Sequence, residues 1–150
     1  MTTDLYPATA SVAPLQAINA FYQSIIDKNV ADICGNYVPS EQTYVVLEGP
    51  RYTTLGYTKI AKGWADFCGS ALLLKKIEWI EGPFEEITTD MAWVAGQIAM
   101  TVEVSQKEFS VQFRATFVLR KNDAGAWQIK HEHVSAPLPD PYGIGDWLKK

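Results

Sequence analysis

Apolar residues change their spacing midway along this chain, dividing it into a helical first half and an extended second half. Ala17, Ile18, Phe21, Tyr22, Ile25 and Ile26 recur three and four positions apart, which lays them along one face of a helix over residues 14–28. Pro14 suits the first turn of that helix, where an N–H has no partner anyway. Residues 30–37 read as a second, shorter helix that stops ahead of Pro39. Residues 43–48 are β-branched and aromatic and read as a strand, which Gly49-Pro50 turns into a short strand over 51–54. After Gly56 a third helix carries Ile60, Trp64, Phe67 and Cys68 on one stripe.

From residue 71 the pattern becomes long and extended. Four strands are predicted: 71–81, closed by Gly82-Pro83, then 91–103, 108–121 and 126–135. The last is entered through the turn Asn122-Asp123-Ala124-Gly125. Helices followed by antiparallel strands specify an α+β domain. Strands of this length must twist and curve. The expected architecture is a cone-shaped, curved, mixed or antiparallel sheet with three N-terminal helices over its concave face. Such a cone encloses a natural small-molecule site. Residues 1–13 read as a flexible lead-in, 14–137 as the domain, and 138–150 as an irregular tail docked by Trp147.

Composition narrows the class. With 150 residues, 47% hydrophobic and 20% charged, the chain has the make-up of one globular domain with a real core. A net charge of −4 and the lack of a basic run remove the electrostatic footprint of a nucleic-acid binder. Cys34 and Cys68 match no metal or redox spacing and read as free thiols. The N-terminus lacks a basic segment followed by an apolar run, and no apolar stretch is long enough to span a bilayer. A soluble, cytoplasmic protein with no membrane partner is the expectation.

Both histidines fall in the last strand, His131 and His133, with Glu132 between them. Strict alternation puts Trp127, Ile129, His131, His133 and Ser135 on one face, and Gln128, Lys130, Glu132 and Val134 on the other. Two histidines two residues apart point the same way, as a metal site needs, yet no motif supplies a third ligand. Packed or hydrogen-bonded structural histidines are the competing reading, and no metal or cofactor is assigned. Arg114 and Thr116 share a face opposite Phe113, Ala115 and Phe117. Tyr22, Tyr44 and Trp64 have the chemistry to line a cavity, with plain core packing as the alternative. Asp66 reads as solvated. A phosphate loop, a nucleophile elbow and a catalytic-triad signature are all missing from the sequence.

Taken together, several segments resemble the nuclear transport factor 2-like superfamily, in particular its SnoaL-like branch. They are the helical start, Gly56 opening a helix that leads to Trp64, and the step Asp90-Met91-Ala92-Trp93-Val94. The strongest match is the block Arg114, Thr116, Val118, Arg120, Asp123, Gly125, Trp127, His131, His133, Ser135 and Pro137. That block is also similar to the end of the association domain of calcium/calmodulin-dependent protein kinase II, which shares this fold. In that domain arginines line the cavity and attract small carboxylates. The matching positions here are Ile98, Phe117 and Val134, so the resemblance implies an apolar cavity in this chain.

The same resemblance turns the Glu132 face inward and the histidine face outward, where related proteins pair as dimers. A carboxyl among Ile98, Phe117 and Val134 loses hydration and suits general acid/base work. Ketosteroid isomerase, of the same superfamily, uses a carboxylate base in an apolar cavity. Against this stands an ion pair of Glu132 with Lys130, Arg114 or Arg120. The implied cavity wall is Tyr22, Tyr44, Ile60, Trp64, Val94, Ile98, Phe113, Phe117 and Val134. The implied homodimer face is Trp93, Arg114, Thr116, Trp127, His131 and His133. The favoured function is binding of a small, mostly apolar molecule, with lyase, isomerase or cyclase chemistry through Glu132. A non-catalytic association module and a metal-dependent enzyme using His131 and His133 are the alternatives.

Overall fold

The computed structural model describes residues 13–148; the expected lead-in therefore lies outside the described residues, except for Ala13. Three helices, α1 (Pro14–Ile26), α2 (Val30–Gly35) and α3 (Tyr57–Cys68), accompany six strands. The strands are β1 (Tyr44–Val46), β2 (Thr54–Leu55), β3 (Leu73–Ile87), β4 (Met91–Val104), β5 (Lys107–Lys121) and β6 (Trp127–Ser135). One sheet holds them all in the order β2-β1-β6-β5-β4-β3. Pairing is antiparallel except between β1 and β6, which run parallel. The result is the mixed, curved and unclosed sheet of the expected α+β cone.

Local chemistry explains where the helices stop and start. Helix α1 buries Ile18, Phe21, Tyr22 and Ile25, the stripe that its spacing specifies. It ends as the chain passes into Lys28, whose φ of 53° breaks the helical path. Asn29 caps α2 by accepting from the Asp32 N–H at 3.1 Å. For α3 the cap is remote: the Glu41 carboxylate accepts from the Thr58 N–H at 3.0 Å and from its hydroxyl at 2.9 Å. Gly56 enters α3 at φ 104°, and a Cβ there would meet Glu41 Oε1 at 2.7 Å, so this turn needs glycine.

Two expectations about β3 and β6 need correction. The strand expected to close at Gly82-Pro83 continues to Ile87, with register shifts between Trp79, Glu81 and Phe84. Because β3 is an edge strand, a proline without an N–H is tolerated there. In β6 the alternation breaks once. Val118 pairs with His131 and Leu119 with Ile129, leaving Lys130 as an extra residue. This bulge rephases the strand, so Trp127 and Ile129 face inward together with Glu132 and Val134.

At the β3 irregularity around Gly82-Pro83, β4 approaches so closely that only glycine fits. A Cβ on Gly96 would fall against the Glu81 carbonyl oxygen, with the Trp79 ring at 2.9 Å. Gly96→Ala is therefore expected to lower stability by about 1–3 kcal/mol, the range for overpacking, read as a lower denaturation midpoint in urea. An unchanged midpoint would show that β3 yields freely here.

The core lies between the helices and the concave face, built from Phe21, Ile33, Tyr37, Val94, Ile98, Phe117 and Ile129 among others. The C-terminal tail does not dock through Trp147. That ring is 60% exposed and stacks on Tyr142 at 5.5 Å, within the tail itself. Among the described residues no helix is long and apolar enough to cross a membrane.

Candidate functional site: a buried carboxyl at the base of an apolar cavity

A cavity of about 340 Å³ opens between α1, α3, the segment after β1, and the concave face of β3, β4 and β6. Its walls are mostly apolar, with Ile25, Leu47, Ile60, Phe67, Leu74 and Met100 contributing. Tyr22, Trp64, Glu132 and Val134 also line it. Of the expected wall residues, then, Tyr22, Ile60, Trp64 and Val134 border the cavity. Val94, Ile98 and Phe117 do not, being fully buried in the packed core. Phe113 packs against that core outside the cavity.

Tyr44 requires a clear correction. Alternation along β1 buries Val45 and leaves Tyr44 on the opposite face, 38% exposed. There it stacks on His131 at 5.6 Å between ring centroids and 8° between planes. Its carbonyl oxygen accepts from His131 Nδ1 at 2.8 Å. The opposite correction applies to Trp127, expected on the outer face. It is 6% exposed and belongs to the core, because the Lys130 bulge reverses its side relative to the histidines.

Glu132 sits opposite Phe117 on β5 and Val45 on β1, and is 2% exposed. It makes no ion pair among the described residues. Lys130 reaches Ser40 instead, and Arg114 donates to Ser135 Oγ at 3.0 Å and to the Ala136 carbonyl at 3.1 Å. The partner of Glu132 is neutral: the Tyr37 hydroxyl donates to Glu132 Oε1. Trp64 Nε1 in turn donates to the Tyr37 oxygen at 3.0 Å. A relay of Trp64, Tyr37 and Glu132 thus ties α3, the end of α2 and β6 together.

Burial dominates the electrostatics. Removal from water pushes the Glu132 carboxyl up to about 8, and the nearby Glu48 adds to the rise, while the Tyr37 hydrogen bond pulls against it. Tyr37 and Tyr22 are both raised well above the usual phenol value, by burial first and by Glu132 second. Both phenols therefore stay protonated, and Tyr37 donates to Glu132. Glu48 lines the cavity at a residue that stays partly exposed. Loss of hydration pushes its carboxyl upward as well, and its exposure keeps that effect smaller than for Glu132.

Tyr37 was invisible to sequence reasoning. The helix expected over 30–37 ends at Gly35, so Tyr37 lies beyond it and joins Glu132 because it forms an isolated bridge to Ile129. The bulge did carry a signal: apolar residues at 127 and 129 but then at 134 require a change of phase between them. Cys34 is buried and Cys68 partly so, both free thiols. Asp66 is exposed and paired with Lys62 at 2.7 Å. Among the described residues no three His, Cys, Asp or Glu side chains gather as a metal site.

Comparison with known proteins places this architecture. No curated protein matches the chain in sequence. Among solved structures, a nuclear transport factor 2-like superfamily protein from Salmonella enterica superposes with TM-score 0.70 at 20% identity, covering 87% of this chain and 93% of that one. A calcium/calmodulin-dependent protein kinase II association domain-like protein from Xanthomonas campestris gives 0.66 at 20% identity, over 82% and 84%. A ketosteroid isomerase-like protein from Erwinia carotovora gives 0.65 at 18% identity, over 82% and 94%. At these identities the likeness establishes the fold. The sequence model of the SnoaL-like domain matches residues 15–139, from the first helix through the last strand, and the chain belongs to the SnoaL-like domain family.

Proposed function

We propose that the cavity binds a small, mostly apolar molecule and that Glu132 exchanges a proton with it, as in lyase, isomerase or cyclase chemistry. The observation that carries this reading is a fully buried carboxyl on the cavity wall with one neutral partner, Tyr37. A carboxylate serving a purely structural role pairs with a cation or with backbone amides. Glu132 has neither among the described residues and retains its proton to about 8, near the range where acid and base forms coexist at working pH. Tyr37 is its positioning residue, fixed in turn by Trp64.

The test is proton exchange. Methyl octyl ketone in deuterated water is expected to exchange its α-protons faster with the protein than without, by NMR. The rate should rise with pH to a plateau above about 8, following ionisation of Glu132. Exchange no faster than in buffer would remove Glu132 as a base.

We further infer that a second copy of the chain covers the outer face of the sheet. Register aligns Trp93, Val118, His131 and Tyr44 across four strands on that face. Trp93 stays 39% exposed in the single chain. Thr116 and His133 pair beside this row, with Arg114 at its end. Sedimentation equilibrium is expected to return twice the chain mass, and Trp93→Glu to weaken association about tenfold or more. A monomer at all concentrations would refute the pairing. Without a membrane-spanning helix among the described residues, a cytoplasmic location fits this reading.

A further inference from the structure

The charge of the cavity opposes that of the protein. The chain carries −4 overall, yet two cations line the cavity: Arg51 from the segment between β1 and β2, and Lys59 from α3. Both side chains belong to exposed residues, which sets them at the solvent end, whereas Tyr22 and Glu132 are almost wholly buried. Neither cation forms an ion pair or a side-chain hydrogen bond among the described residues. The opposing charge at this end is Glu48, one carboxyl against two cations, and its own surroundings favour the protonated form. Deeper in, the Tyr22 hydroxyl is buried and has no hydrogen-bond partner. A buried hydroxyl without a partner costs stability, and this one lies on the cavity wall beside Glu132, where a ligand oxygen would satisfy it.

Resting on the acid/base reading of Glu132, we propose that the ligand is an anionic amphiphile whose acid group meets Arg51 and Lys59 and whose inner oxygen accepts from the Tyr22 hydroxyl. The apolar stretch between these two ends packs against Ile60, Leu74 and Met100. A neutral Glu132 adds no repulsion against such a ligand near neutral pH. The volume of about 340 Å³ falls at the small end of the range of about 300–1,000 Å³ for small-molecule sites, which favours a compact acid over a peptide or a sugar polymer.

Calorimetric titration with three probes separates the parts: 9-oxodecanoic acid, whose ketone lies at the end of the chain away from the carboxyl, its methyl ester, and plain decanoic acid. The keto acid is expected to bind about tenfold or more tightly than the ester. In the double variant Arg51→Gln/Lys59→Gln that preference should shrink below about threefold; both positions are exposed, so the fold is retained. Tyr22→Phe keeps the buried ring and should erase the advantage of the keto acid over decanoic acid. Equal binding of acid and ester, an acid preference that survives in the double variant, or no binding of any probe would each overturn the assignment. Glu132→Gln should keep the acid preference, and its loss there would also count against the assignment. Ketone exchange reads Glu132 alone, so failure of the base and failure of the ligand class are separate results.

Discussion

Glu132→Gln is expected to bring ketone exchange down to the uncatalysed rate, at least about a hundredfold, the scale of general base catalysis. The same substitution is expected to make the protein more stable at alkaline pH. An unfolded Glu132 ionises near 4.5, while the folded one holds its proton until about 8. Between those values folding takes up a proton, so stability falls as pH rises, by about 1.4 kcal/mol per pH unit at the steepest. The whole effect is on the order of 5 kcal/mol above pH 8. Glutamine is nearly isosteric with the protonated acid and can still accept from Tyr37. The variant should therefore match the native protein near pH 5 and exceed it at pH 8 and above in thermal melts. Tyr37→Phe should act oppositely on the titration. It removes the hydrogen bond that favours the carboxylate, and the pH at which stability is lost moves up. Parallel pH profiles for the native protein and Glu132→Gln would rule out a buried, titrating carboxyl.

Phe117→Ala should give the largest loss of stability, about 3–5 kcal/mol, the range for removing a buried aromatic ring. Phe117 is fully buried and meets Phe21 and Tyr22 edge-on, at 6.3 and 6.0 Å between centroids. It also pairs with Val94 and Glu132 on its two neighbouring strands. Against a total stability of about 5–15 kcal/mol for a domain, the loss is large enough to show as a much lower urea midpoint. Phe109 on the same strand is 49% exposed, and its alanine variant should stay within about 0.5 kcal/mol of the native protein. Equal effects at the two positions would contradict the assignment of Phe117 to the core.

The elements that sequence pattern revealed are those governed by one unbroken period. Helix α1 is legible because Ile18, Phe21, Tyr22 and Ile25 face a single sheet. Strand β5 is legible because Ala115, Phe117 and Leu119 alternate without a break. Misreadings fall where the period is interrupted by something tertiary. Gly82-Pro83 looks like a stop because proline lacks a donor, yet an edge strand has no second neighbour to pair with. Tyr44 looks like a cavity residue because it is aromatic, and alternation along β1 turns it outward. Of the site, Glu132 stood out as an acid in an apolar strand. Tyr37 and Trp64 joined it only through folding, since no local rule connects position 37 or 64 with 132. Arg51 was expected to open a short strand over 51–54, but β2 is only Thr54–Leu55 and Arg51 lies in the irregular segment before it, where alternation carries no information about direction.

The extra residue at Lys130 makes β6 two half-strands of opposite phase spliced into one. Its first half serves the core through Trp127 and Ile129, and its second serves the cavity through Glu132 and Val134. Length in the middle of this strand is consequently a hidden coordinate of the site. Deleting Lys130 removes no group that lines the cavity, yet it leaves the strand unable to satisfy both halves. Either Trp127 and Ile129 turn to solvent, or Glu132 leaves the cavity and the histidines enter it. A lineage free to vary the side chain at this position is not free to lose the position.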